Sequence, residues 1–483
     1  MPAKPSPSAS RAGAVQFFLA HGLFALVLAS WLLSLLGGLW LDSLLAWGAG
    51  LFYVSYDTWL LAYVAWHTRN LRAEPATQAV PALPGELPAA VTSNPRLTLG
   101  VLIAARNEEL MLPVCLRALL AQSDVPDEIF VIDDGSTDAT RAVLARDFGL
   151  LPHQAQGAHY SRAGGICVLH KANAGKASAL NDGLQHIRAD VVITIDADTL
   201  LAPGAVAAMR QAFSADAQLV AACGVLRPRC APGWRGRVFE WFQTFEYLRA
   251  FLSRVAWMRI DALLLVSGAF AAYRLGALQQ VGGYRANSRV EDYELIHRMH
   301  RHSHDHALAW RIRVVSQARA ETDAPATLGS FLRQRARWFA GFLETLRDNR
   351  DMLGNARYAA VGRFMLPIKV VDTMQPVFGL TAFALLVYFV VTQQPVLRLV
   401  LLVIALKLLL DVLFHLWSVH LYHRWLGQRV PPTTWLLAVL AAFAEPFSFQ
   451  LLRHSGALSG WGSFLSKRTD WMPQRQARLR APD

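Results

Sequence analysis

Val191-Val192-Ile193-Thr194-Ile195-Asp196-Ala197-Asp198 decides the fold of this chain. Its run of β-branched residues reads as a fully buried, parallel strand. That strand carries two carboxylates, two residues apart, to its C-terminal end. In an open α/β sheet, ligands bind in the crevice beyond the carboxyl ends of the strands. Two carboxylates there repel unless a cation lies between them, and a hard divalent ion chelated by a diphosphate fits that place. The plainer reading has Asp196 and Asp198 cap the turn before Pro203.

Similar units flank this strand. Residues 97–105 read as a strand ended by Arg106-Asn107-Glu108-Glu109, with a helix over 109–121. Residues 128–132 form a second strand, stopped by Asp133-Asp134-Gly135-Ser136, with a helix over 138–147. A short strand over 166–169 leads into Lys171-Ala172-Asn173-Ala174-Gly175-Lys176, a loop opening a helix. Strands alternating with helices of this length predict an α/β, mostly parallel, doubly wound sheet whose strand ends share one crevice. A helix over 204–213 and a strand over 219–225 follow. The aromatic stretch 236–256 suits a membrane surface or a domain neighbour, with core packing the favoured alternative. Glu291-Asp292 then follows a Gly-Gly-Tyr turn, and Gln334-Arg335-Ala336-Arg337-Trp338 sits in a basic helix.

The ends of the chain differ in kind. Of 483 residues 54% are hydrophobic, too many for an ordinary soluble enzyme, and the excess lies outside the middle. Residues 1–13 read as disordered, and 14–67 as two transmembrane helices, at 14–40 and 44–66. His67, Arg69 and Arg72 follow the second, which puts the N-terminus and the catalytic domain in the cytoplasm. A Pro-rich linker covers 68–96, the soluble domain 97–345 and an interfacial segment 346–371. Residues 372–455 hold two or three spans, from candidates at 372–392, 396–418 and 433–452, the last interrupted by Glu445-Pro446. A basic tail fills 456–483. The net charge of +12 is explained by membrane orientation; no nucleic-acid motif is present. Four scattered cysteines argue against disulfides and zinc.

The motifs suggest chemistry singly and weakly. A carboxylate at Asp133 or Asp134 suits uracil N3–H or ribose hydroxyls. Gly175-Lys176 offers amide N–H groups and an ammonium to a diphosphate. Glu291-Asp292 supplies a base for an acceptor hydroxyl, although acidic residues also cap helices. Gln334, Arg337 and Trp338 offer an amide, a guanidinium and a sugar-stacking indole within about one helical turn, although a membrane-surface helix uses Arg and Trp alike. His297, His300, His302, His304 and His306 read as a solvated helix end rather than a metal site.

The order of these motifs resembles family 2 glycosyltransferases of the GT-A fold, and more narrowly the membrane-embedded processive synthases of hyaluronan, chitin, cellulose and poly-N-acetylglucosamine. The resemblance implies a Rossmann-like cytoplasmic domain flanked by transmembrane helices in the cell (inner) membrane. It implies that Asp133 and Asp134 hold the uridine of a UDP-sugar, and that Lys176 and Asp196 hold its diphosphate. Asp198 would bind Mg2+ or Mn2+, and Asp292 would be the general base of an inverting transfer. Gln334, Arg337 and Trp338 would meet the acceptor and diphosphate, with Arg106 and Glu291 in support. The implied partners are a nucleotide-sugar donor, a polysaccharide or lipid acceptor, membrane lipids and an export or accessory protein. Val290 stands where the family usually has Thr or Gly. Two alternatives remain open: single transfer to a polyprenyl phosphate or ceramide-like lipid, and a transport subunit with an inactive transferase domain.

Overall fold

The computed structural model describes residues 7–41, 43–71, 96–150, 153–155, 158–163 and 165–467. The start of the expected disordered N-terminus, most of the Pro-rich linker and the tail beyond residue 467 lie outside these residues. Helix α1 (Pro7–Trp40) begins inside the stretch 1–13 that was expected to lack structure. Helix α2 (Gly48–Thr68) follows.

The central domain runs in chain order through β1 (Leu99–Ala105), α3 (Leu112–Leu120), β2 (Glu128–Asp134), α4 (Thr140–Phe148), β3 (His153–Ala155), β4 (Ala158–Ala163) and β5 (Ile166–Lys171). It continues with α5 (Lys176–Leu184), β6 (Val191–Asp196), β7 (Leu200–Leu201), α6 (Ala205–Ala215), β8 (Leu219–Arg229) and α7 (Trp234–Met258). Then come β9 (Phe270–Arg274), α8 (Leu275–Gln280), α9 (Glu291–Asp305), β10 (Arg311–Asp323) and α10 (Leu328–Asp348). The last helices are α11 (Leu366–Val391), α12 (Leu397–Trp425), α13 (Pro432–Ala444) and α14 (Phe449–Leu465).

The strands form one sheet in the order β3-β4-β5-β2-β1-β6-β9-β8-β10-β7. Its middle, β5-β2-β1-β6, is parallel throughout, as the alternating pattern predicts. Strand β9 then enters antiparallel to both β6 and β8, so the sheet is mixed beyond the DxD strand. Side chains of β6 alternate between two cores. Val191, Ile193 and Ile195 pack with α3 and α6, while Val192 packs with α5 and α9. All four are essentially inaccessible, which at about 1.5–3 kcal/mol per aliphatic side chain anchors the strand from both faces. Helix α3 starts three residues later than expected because the polar run is used elsewhere. Asn107 Oδ1 accepts from the Thr137 amide at 2.7 Å, and Glu109 Oε2 accepts from the Ala139 amide at 2.9 Å. The loops after β1 and β2 are thus tied together above the sheet.

By length and composition, Gly22–Trp40, Val361–Val391 and Leu397–Trp425 are long and apolar enough to cross a membrane. The pair Pro432–Phe447 and Phe449–Leu465, bent by 45° at the Glu445-Pro446 break, adds a fourth if it counts as one. Helix α2, expected as a span, is not among them: Asp57 and its tyrosines lower its hydropathy. The third expected span begins about ten residues earlier than 372, running on from a π-helical turn at Val361–Met365. The aromatic stretch is α7, and packing is the reading that holds. Phe245, Phe251 and Leu252 are buried against α12 and α13, and Phe251 stacks on Trp425 at 4.3 Å. A cavity of about 400 Å³ lies among α2, α7, α11, α12 and the bent pair. Charged side chains line it: Lys407 pairs with Asp57 at 2.7 Å and with Asp411, and Arg249 pairs with Glu445.

Candidate active site

Strand register sets the floor of the crevice. Ala105 of β1 lies opposite Asp133 of β2, and Ala104 lies opposite Asp196 of β6. Three strand ends, two of them bearing carboxylates, therefore finish at one level. Adjacent residues on a strand point to opposite faces, so Asp133 and Asp134 have different environments. Asp133 is fully buried and receives Arg141 Nε at 2.5 Å, His170 Nδ1 at 2.9 Å and the Ser136 amide at 2.9 Å. Burial opposes its ionisation, but these three donors hold its pKa well below the usual aspartate value. Its carboxylate is committed to the interior, which corrects the expectation that it faces a nucleoside beside Asp134.

Asp134 holds the next loop. Its two oxygens accept the amides of Ala174 and Gly175, each at 2.8 Å. The Gly175 amide, expected to face a diphosphate, thus points at Asp134. Gly175, at φ 91°, makes the turn into α5, and Lys176 opens the helix. Asn181 on α5 then clamps the Gly-Gly-Tyr turn: its Nδ2 donates to the Tyr284 carbonyl at 2.7 Å, and its Oδ1 accepts the Tyr284 amide at 2.8 Å. Gly283 is required there, because it has φ 66° and a Cβ would fall 2.6 Å from Asn181 Oδ1.

Lys176 gathers the site. Its ammonium lies 2.7 Å from Asp196 and 3.0 Å from Glu291. Burial works against its charge, but Asp196, Glu291 and Asp292 outweigh burial and hold its pKa well above the ordinary lysine value. Glu291 shows the complementary effect: burial raises its pKa, and Lys176 and Arg337 more than reverse this. Asp292 is fixed by two amides, from Gly268 at 2.6 Å and Tyr293 at 2.8 Å. Burial and the neighbouring Glu291 charge nevertheless keep its pKa raised, as suits a proton acceptor. Gly268 sits just before β9, and the Asp196 amide donates to the Ala269 carbonyl at 3.4 Å. The antiparallel strand thereby ties the Asp292 helix to the DxD strand.

Asp198 lies just past β6, where burial, then Asp196 and Asp323, push its pKa well above the normal carboxylate range. Asp323, at the end of β10, is pushed up to about 6 by burial, and its Oδ1 is buried without a hydrogen bond. Hard oxygen donors crowded around Asp198 fit a divalent cation. Among the described residues no three His, Cys, Asp or Glu side chains converge closely enough to hold one alone. Asp196 and Asp198 therefore suit a cation that takes its other ligands from a bound diphosphate.

On α10, Arg337 Nη1 donates to the Arg289 carbonyl at 2.8 Å, just before Glu291. Gln334 is buried with its Oε1 unbonded, and Trp338 is half-buried against the core beneath the site. Arg106 follows β1 at the same strand edge and is half-buried. Of the histidines, His297 and His300 are interior, bonded to the carbonyls of Tyr293 and Leu263, so the solvated reading holds only for the end of the helix. His300 faces inward onto the segment between α7 and β9. Sequence reasoning missed Asn181, Gly268 and Asp323, whose importance depends on distant partners.

This arrangement agrees with comparisons to known proteins. Residues 100–282 match the family described as Glycosyl transferase family 2. The central domain is a family 2 glycosyltransferase domain. The chain is 29% identical over 265 residues to the poly-beta-1,6-N-acetyl-D-glucosamine synthase of Staphylococcus aureus (strain COL), covering 53% of this chain and 58% of that protein. It is 26% identical over 254 residues to the enzyme of the same name from Staphylococcus epidermidis, covering 51% and 55%. The chain thus spans little more than half the length of these curated relatives. The mannosyltransferase PcManGT from Pyrobaculum calidifontis, solved in complex with GDP-Man and Mn2+, superposes with a TM-score of 0.54 at 17% identity, over 87% of this chain and 99% of that one. That likeness establishes the GT-A fold together with flanking helices.

Proposed function

We propose that this glycosyltransferase is an inverting, membrane-embedded enzyme that transfers N-acetylglucosamine from a UDP donor to a growing polysaccharide at the inner face of the membrane. The observation that carries the reading is Lys176 bridging Asp196 and Glu291 beside Asp292. It gathers the diphosphate side and the acceptor side of a transfer site into one crevice. Asp134, at the end of β2, would meet the donor's uridine, with Lys176 set to receive the diphosphate. Asp292 takes the proton from the acceptor hydroxyl as that oxygen attacks the anomeric carbon from the face opposite the departing UDP. One displacement inverts the configuration. Asp196 and Asp198 would hold Mg2+ or Mn2+, which when bound stabilises charge on the departing diphosphate. Gln334 and Trp338 would receive the acceptor sugar, with Arg337 close to Glu291. The polysaccharide acceptor is supported by the likeness to the staphylococcal synthases. The charged cavity among the apolar helices supports coupling of elongation to export.

The test uses full-length protein in nanodiscs, with UDP release followed over a panel of UDP-sugars, with and without Mn2+, beside Asp292→Asn. Metal-dependent release from UDP-N-acetylglucosamine, lost in the variant and accompanied by a high-molecular-weight product, is expected. A short, lipid-extractable product overturns the polymerase reading in favour of single transfer to a lipid. Release undiminished in Asp292→Asn overturns the assignment of the base.

A further inference from the structure

Arg335 lies inside the Gln334–Trp338 motif, yet has no part so far in holding donor or acceptor. Its guanidinium is 2.8 Å from Glu246 of α7, and the two side chains retain only 11% and 13% of their exposure. The same guanidinium sits 4.6 Å from the centroid of the Trp338 ring and 4.6 Å from that of Phe331. A planar cation between a carboxylate and two aromatic faces, each about one turn from it on the same helix, is a specific clamp. Lysine has the charge but not the plane.

The clamp depends on α14. This helix crosses α10 so closely that a Cβ on Gly456 would fall 2.6 Å from Arg335 Cβ, and one on Gly460 would fall 2.8 Å from the Ala336 carbonyl oxygen. Glycines four residues apart permit such backbone contact between helices. Arg453 of α14 also approaches Glu246, at 3.6 Å, so both helices hold the same carboxylate. On the other side, Ser463 Oγ accepts from Arg289 at 2.9 Å, next to the Glu291-Asp292 pair.

We propose that Arg335 is a positioning residue for the acceptor: clamped between Glu246 and the Trp338 ring, it fixes the indole in the orientation on which the acceptor sugar stacks. The proposal rests on the acceptor role given to Trp338 above. It assigns Gly456 the task of leaving room for the clamp. Removal of the guanidinium frees the Trp338 ring to turn, and a sugar must then order it on binding. The loss falls on acceptor affinity, because the proposed donor contacts lie at the ends of β2 and β6 and on α5.

Full-length wild type, Arg335→Met, Arg335→Lys and Gly456→Ala in nanodiscs provide the test. Oxidative footprinting read by mass spectrometry reports the cover of Trp338 without reference to activity. Arg335→Met is expected to raise Trp338 oxidation about threefold, as one face of a half-buried ring is uncovered. In UDP-release assays with UDP-N-acetylglucosamine, the KM for a β-1,6-linked N-acetylglucosamine tetramer should rise about fivefold in the same variant, while the donor KM moves less than about twofold. Arg335→Lys should fall between wild type and Arg335→Met in both readouts, and Gly456→Ala should reproduce the effect of Arg335→Met in weaker form. Unchanged Trp338 oxidation in Arg335→Met overturns the proposal. So does an equal rise in donor and tetramer KM, which marks a purely structural ion pair. If wild type releases no UDP from this donor, the function proposed above fails, and the footprint alone decides the clamp.

Discussion

Gly268→Ala presses directly on the proposed base. The Gly268 amide donates to Asp292 Oδ2 at 2.6 Å, and a Cβ on residue 268 would lie 3.0 Å from that oxygen and 3.2 Å from both Cβ and Cγ of Asp292. Gly268 is not in the left-handed region, so alanine adds crowding without backbone strain. Carbon contacts settle near 3.5–4.0 Å, so the carboxylate must retreat by roughly 0.3–0.5 Å. A misplacement of about 1 Å costs on the order of a hundredfold in rate, and this shift scales to roughly four- to tenfold in kcat. A second effect has a definite sign. Lengthening the Gly268 bond removes a contact that favours the ionised form, so the raised pKa of Asp292 climbs further. The base must be unprotonated to act, so the acid limb of the rate profile moves to higher pH, and part of the loss is recovered there. Initial rates of UDP release across pH, with Asp292→Asn as the floor, read both effects. A wild-type rate and an unmoved acid limb would refute the placement of Asp292 against residue 268. A rate at the floor at every pH, with intact thermal unfolding, would refute the estimate of a small displacement.

Glu291→Gln removes the charge that raises Asp292, so its acid limb should move to lower pH in the same assay, opposite to Gly268→Ala. Lys176→Met leaves Asp196 and Glu291 without their cation. UDP affinity by calorimetry should drop at least about tenfold, and thermal stability should fall at neutral pH and partly return on acidification as the freed carboxylates take up protons. Gly183→Ala on α5 puts a methyl 2.3 Å from Leu102 Cδ1 and 2.7 Å from Ile132 Cδ1. It should destabilise the sheet domain by about 1–3 kcal/mol in denaturant unfolding, with donor KM little changed.

The parallel half of the sheet was legible because each strand there is a continuous apolar run closed by its own polar cluster. Strand β6 announces itself in six residues, and the acidic turn after β2 in four. What followed was not legible in the same way. Strand β9 belongs beside β6 only because Phe270 meets Ile195 across some seventy-five positions of chain, and no local pattern encodes that pairing. The site divides likewise. Lys176, Asp196, Glu291 and Asp292 were visible as residue types in a particular order, whereas the inward turn of Asp133 required knowing which face of β2 meets His170 and Arg141. Helix α2 has the length and aromatic content of a membrane span but a lower hydropathy, because Asp57 faces the charged cavity.

The ammonium of Lys176 acts as an internal counterion. It already satisfies Asp196 and Glu291, so a diphosphate arriving at the proposed donor site would compete with the protein's own anions for it. A cation held at Asp196 would relieve that competition, because it takes over one of the carboxylates and leaves the ammonium available. Donor and cation are then linked ligands, each tightening the other by the same factor. The affinity of either one, measured alone, understates its hold on the site. An enzyme so arranged would be quiet toward free metal and free nucleotide, and responsive to the two together.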